Sequence, residues 1–170
     1  MIGHHLELGA RAAYVAAGLY VALFVAFAVT PPTSLIGPFI GVLLHLVLFP
    51  AVAALPAAPW ARAGGYGWLI LDITSNVMTI NGIEDQTTTA LRLGGHVVAA
   101  LWIALAAMQA SRAIRYVGLP LALALGLYSL VAPWVPMTAF LPFALLLIAW
   151  LVLVGRSLTV AARRMVQASS

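Results

Sequence analysis

Asp72 sits in the stretch Gly67-Trp68-Leu69-Ile70-Leu71-Asp72-Ile73-Thr74-Ser75-Asn76-Val77-Met78, which otherwise reads as a membrane-spanning helix. A carboxylate at the centre of a bilayer costs roughly 2.5–3.5 kcal/mol on insertion scales. Such a group turns towards the interior of a bundle and finds a partner there, so it marks a functional site. Asn76 and Thr79 follow at i+4 and i+7, which puts all three on one helical stripe. Arg92 and His96 form a second i, i+4 pair in another apolar run, and His45 stands alone in a third.

These residue types define a chemistry. A buried aspartate beside a histidine is a proton donor and acceptor pair, which makes Asp72 and His45 the candidate catalytic residues. An arginine above them attracts an anionic head group. The candidate ligand-binding residues are therefore Asn76, Thr79, Arg92 and His96, with Tyr20 and Tyr128 as walls.

Other chemistries are closed off. The chain has no cysteine and all eight basic residues are arginines, so thiolate catalysis, Fe–S clusters and lysine Schiff bases are excluded. Phosphate-loop, dinucleotide, H-E-x-x-H and G-x-S-x-G signatures are absent. Two histidines and a carboxylate are an allowed metal set, but they come from three separate segments with no ligand spacing, and no metal is expected. No other cofactor is expected, with a haem b held by His45 and His96 as the alternative. Their estimated depths differ by ~8 Å, which is awkward for two axial ligands of one iron. His4 and His5 read as a tail, Glu84 and Asp85 as a solvated loop, and Trp68, Trp102 and Trp150 as packing.

The elements that must position these residues follow from composition. The chain of 170 residues is 64% hydrophobic and 7% charged, with a mean hydropathy of +1.09. Soluble domains average about 25% charged residues, so lipid is the solvent here. Apolar runs at about 12–29, 35–55, 66–80, 91–110, 117–132 and 138–155 predict a six-transmembrane-helix, all-α bundle with short loops. It forms a single transmembrane domain over residues 1–170, with 156–170 as a short tail. Pro31-Pro32-Thr33-Ser34, Pro56, Pro59, Gly64 and Gly65 break the early segments. The polar run Asn81 to Thr89 reads as a water-exposed loop. Arg11 and Ala26-Phe27-Ala28 imitate a signal peptide, but Glu7 and the length of the apolar run favour a retained helix.

Orientation comes from the arginines. Arg11, Arg62, Arg112, Arg115, Arg156, Arg163 and Arg164 fall on one side of a six-helix topology, while Arg92 alone falls on the other. The positive-inside rule then puts both termini in the cytoplasm of a bacterial inner membrane. With a rise of ~1.5 Å per residue, His45 and Asp72 share the midplane. His96 lies with Asn76 in a layer above them, and Arg92 lies at the outer mouth. The expected protein is a multi-pass bundle whose outward-facing polar pocket binds a small lipophilic molecule with a polar head, with acid–base chemistry on it. A proton-coupled transporter and an accessory subunit are the alternatives. The expected partners are the bilayer, the lipophilic ligand, and further copies or a larger membrane complex. The arginines form no basic face, so no nucleic acid is expected.

Overall fold

In lipid every backbone N–H and C=O must be satisfied within the protein, which favours helices throughout. A computed structural model, which describes residues 2–31, 33–136 and 141–168, is helical over nearly all of them. The helices are α1 (Ile2–Val29), α2 (Ile36–Ala54), α3 (Pro59–Ile80), α4 (Asp85–Gln109), α5 (Arg112–Val131) and α6 (Leu141–Ala168). A 3-10 turn at Ala132–Trp134 follows α5. Five of the six helices are long and apolar enough to cross a membrane, and the chain is a multi-pass helical membrane bundle. The exception is α3, whose apolar content is diluted by Arg62, Asp72, Thr74, Ser75 and Asn76.

Each helix packs on its sequence neighbours, and α6 returns to pack on α1, so the six close into a ring. Small residues make that closure tight. Ala13 and Ala16 of α1 are fully buried, and Tyr14 lies so close to Gly155 of α6 that a Cβ there would come within 2.9 Å of its ring. Helices α2 and α3 run antiparallel, with Gly41 against Asn76 towards one end and Val52 against Gly65 towards the other. The interior nearer the second end is filled by Leu48, Leu69, Ile103, Trp102, Trp150 and Leu151, all buried. There the indoles of Trp68, Trp102 and Trp150 run from α3 through α4 to α6, with ring centroids 5.9 Å and then 5.4 Å apart.

Several helices extend past the apolar runs that announce them. α1 begins at Ile2 rather than near Ala12, α3 at Pro59 rather than near Tyr66, and α6 continues through the expected tail to Ala168. An apolar run marks what lipid covers, whereas a helix ends where its hydrogen bonds do. Pro59 starts α3 because a first-turn proline needs no N–H. The polar stretch expected as a loop is also shorter, since Asp85 to Thr89 form the opening turns of α4 and leave Asn81 to Glu84 as the connection. Unpaired N–H groups at a helix start suit acidic and hydroxyl side chains, so a polar run opens the helix instead of avoiding it. Gly82 makes the reversal at φ +72°. The expected start of the last segment at Thr138, and Pro32 in the first break, lie outside the described residues.

Two of the arginines close helix ends. Arg62 donates to the carbonyls of Leu55 and Ala57 just past α2, and Arg115 donates to Met108 O near the end of α4 at 2.6 Å. Both cover carbonyls that helix termini leave without intrahelical donors.

Candidate functional site

On α2, the Nδ1 of His45 lies 2.6 Å from the carbonyl oxygen of Gly41, one turn back. A carbonyl only accepts, so Nδ1 carries a hydrogen and Nε2 is the ring's variable position. That Nε2 has no hydrogen bond of its own in the neutral ring, and it faces Asp72 Oδ2 of α3 at 3.0 Å. Oδ2 also accepts the indole N–H of Trp68, one turn earlier on α3, at 2.6 Å. His96 of α4 brings its Nε2 to 4.0 Å from the same oxygen. The other carboxylate oxygen, Oδ1, is buried with no hydrogen-bond partner among the described residues. Exposure is 3% for Asp72 and 5% for His45, so this is an interior group.

Close helix approach makes the geometry. Gly41 puts α2 directly against Asn76, where a Cβ would come within 2.7 Å of the amide oxygen. The Asn76 amide in turn donates to Asp72 O at 2.7 Å, binding the turn of α3 that carries the carboxylate. Ser75 donates its hydroxyl across to Thr88 O at 2.9 Å and ties α3 to the start of α4. The His45 ring stands edge-on to Trp68 at 5.5 Å and 89°, so the indole that holds Oδ2 also braces the imidazole.

The expected residues separate into groups. Asp72, His45 and His96 come together on one carboxylate oxygen. Arg92 and Tyr20 lie within electrostatic reach of that carboxylate, Arg92 from α4 and Tyr20 from α1. Asn76 and Thr79 share its stripe, but their donors go to their own helix, Thr79 Oγ1 to Ser75 O at 3.0 Å. Tyr128 is half-buried on α5, which packs chiefly against α4 and α6. Counting residues set His96 one layer above Asp72. The structure instead brings its imidazole beside the carboxylate, because side-chain reach and helix stagger cover several ångströms that a rise per residue ignores.

Trp68 reads as packing in the sequence, and its part in the site comes from the structure. Its i, i+4 relation to Asp72 was a usable signal, since that spacing stacks two side chains on one face. Gly41 is a positioning residue for Asn76 that the sequence does not announce, whereas the adjacent Gly94 and Gly95 are the kind of small pair that lets a membrane helix approach a neighbour, here Leu71 and Asp72 of α3. The indole N–H groups of Trp102 and Trp150 are buried in the ring's interior without a hydrogen-bond partner among the described residues.

Two apolar grooves lie on the bundle surface. One of about 440 Å³ runs between α4 and α5 past Val97, Ala104, Leu119 and Leu127, and one of about 520 Å³ lies among His5, Leu8, Phe49 and Tyr66. Neither is lined by Asp72, His45 or His96, which are packed in protein. Among the described residues no group of three or more His, Asp or Glu side chains is placed to hold a metal ion. Comparison with family models, with curated proteins and with solved structures finds no match.

Proposed function

We propose that the chain crosses a bacterial inner membrane six times with both termini in the cytoplasm, and that His45 and Asp72 share a proton which they exchange with a small lipophilic molecule carrying a polar head. The crossing number is supported by α3, which falls short of the apolar content of the other five helices' spans yet packs between α2 and α4 as a full member of the ring. The orientation is supported by the seven arginines that fall to one side of that topology.

The proton is argued from the contact between His45 and Gly41. With Nδ1–H committed to the Gly41 carbonyl, a neutral imidazole would aim a lone pair at Oδ2 from 3.0 Å, and two acceptors would face each other in an apolar interior. A proton between them removes the conflict. The pair is then either imidazolium with carboxylate or imidazole with carboxylic acid, and either form has no net charge. Neutrality is what burial at a few per cent exposure favours. Surrendering the proton leaves a net negative pair, so discharge must be coupled to something that compensates it, such as a bound head group. Arg92 and His96 hold positive or polarisable groups within electrostatic reach of Asp72.

A bis-histidine haem is less favoured. Axial ligands bond opposite faces of one iron, whereas both Nε2 atoms here approach a single carboxylate oxygen to within 4.0 Å.

The test is infrared spectroscopy of the protein in lipid nanodiscs across a pH titration, with Asp72→Asn identifying the Asp72 carboxyl bands and His45→Gln removing the partner. A carboxyl band that changes with pH, vanishes in Asp72→Asn and shifts in His45→Gln is the expected result. An Asp72 carboxylate that is unchanged by pH and indifferent to His45→Gln would sink the proposal.

A further inference from the structure

We infer that the molecule bound at this site presents an O–H or N–H donor, and that it docks on Asp72 Oδ1 at the notch left in α4 by Gly94 and Gly95. This rests on the shared-proton reading above and adds the ligand's hydrogen-bonding class and its place of approach.

The two oxygens of Asp72 have different surroundings. Oδ2 takes the Trp68 N–H at 2.6 Å and meets His45 at 3.0 Å and His96 at 4.0 Å. Oδ1 is equally buried and has no partner among the described residues. A buried acceptor without a donor is costly and calls for one. Its role does not depend on where the shared proton sits. In the carboxylate Oδ1 accepts, and in the acid protonated on Oδ2 towards His45 it is the carbonyl oxygen and still accepts. A ketone, an ether or an anionic head would bring further lone pairs to it. An alcohol, a phenol or a quinol would complete it.

Location comes from the glycines. A Cβ at Gly95 would stand 3.4 Å from Oδ1 and 3.3 Å from Leu71 Cβ, so α4 meets the carboxylate through bare backbone. Next to it, Gly94 is exposed, and a Cβ there would meet nothing within 4 Å. At this pair a buried glycine against Oδ1 and an exposed glycine on the helix surface are sequence neighbours, with no side chain on either. Val97, one turn along, is an exposed apolar side chain and suits a lipophilic body arriving from the bilayer. Two adjacent glycines alone would mark close helix packing. What makes them a docking place is the buried, unpartnered oxygen behind them.

The experiment uses the full chain in lipid nanodiscs with two matched probes, 1-naphthol and 1-methoxynaphthalene, and measures binding above that of empty discs by equilibrium dialysis. 1-Naphthol should bind saturably, while its methyl ether, which lacks the donor, should only partition. Gly95→Ala, which crowds Oδ1, and Gly94→Leu, which narrows the notch from the open side, should each weaken naphthol binding by about tenfold or more. Gly94→Leu guards against loss of fold, since its side chain enters open space, and helicity by circular dichroism checks both variants. Equal saturable binding of the two probes overturns the donor requirement. Unchanged naphthol binding in both glycine variants overturns the docking place. If neither probe binds while the Asp72 infrared band still titrates, this inference fails and the proton pair survives. If naphthol binds selectively but no such band exists, the pair fails and the donor site stands.

Discussion

Trp68 and Asp72 lie one turn apart on α3, and the indole N–H of the first donates to Oδ2 of the second at 2.6 Å. That bond fixes the carboxylate rotamer. It turns Oδ2 towards His45 and leaves Oδ1 against Gly95 of α4. The division of labour between the two oxygens therefore originates in a residue that makes no acid–base contribution of its own.

Replacing Trp68 with Phe keeps an aromatic ring and removes the donor. Hydrogen bonds to charged groups contribute about 1.5–3 kcal/mol, so Trp68→Phe should lower stability by that order. Reversible unfolding in mixed micelles measures it. A loss below about 0.5 kcal/mol would mean that the indole bond contributes little.

His45 and Asp72 should behave differently singly and together. Removing one partner of a buried pair leaves an uncompensated group and costs about 3–5 kcal/mol, whereas replacing both by apolar residues is often neutral or stabilising. His45→Leu should thus be strongly destabilising, and His45→Leu with Asp72→Leu should recover most of the loss. The same unfolding assay, run as a double-mutant cycle, reads the coupling. Additive losses would show that the 3.0 Å contact carries no energy.

Gly41 should tolerate no side chain while Asn76 is present. A Cβ there would meet the Asn76 oxygen, nitrogen and carbon at 2.7, 2.8 and 2.9 Å. Overpacking of this kind costs typically about 1–3 kcal/mol, so Gly41→Ala should lie in that range and Asn76→Ala should partly rescue it. Absence of rescue would place the strain elsewhere in α2.

Topology has its own check. Reporter fusions following Ser170 should be cytoplasmic, and a tag inserted at Gly82, in the short α3–α4 connection, should be reached from outside the cell. Labelling of the Gly82 tag from the cytoplasm alone would overturn the six-span orientation.

Legibility of the site in the sequence depended on the kind of signal. The meeting of His45 and Asp72 followed from counting residues along two antiparallel helices, because both lie deep in apolar runs whose ends are marked by prolines and glycines. His96 was placed a turn too high, since the same counting takes no account of side-chain length. Gly41 left no trace, because what it contributes is the absence of a Cβ beside another helix, and a lone glycine in a helix looks the same whether it faces lipid or a carboxamide. The all-helical membrane class was plain from composition. The place of α3 in the ring was less so, because the polar residues that make it interesting also lower its hydropathy.

The closure of α1 on α6 bears on how the protein is made. Roughly 110 residues separate Val29 from Leu141, so at about 5–20 residues per second α1 leaves the ribosome some seconds before its partner exists. During that interval Gly9 and Tyr14 of α1 lack the Leu158 and Gly155 of α6 that they meet in the finished ring. A nascent chain arrested after α5 should therefore hold an open bundle, and synthesis of the final helix should close the ring.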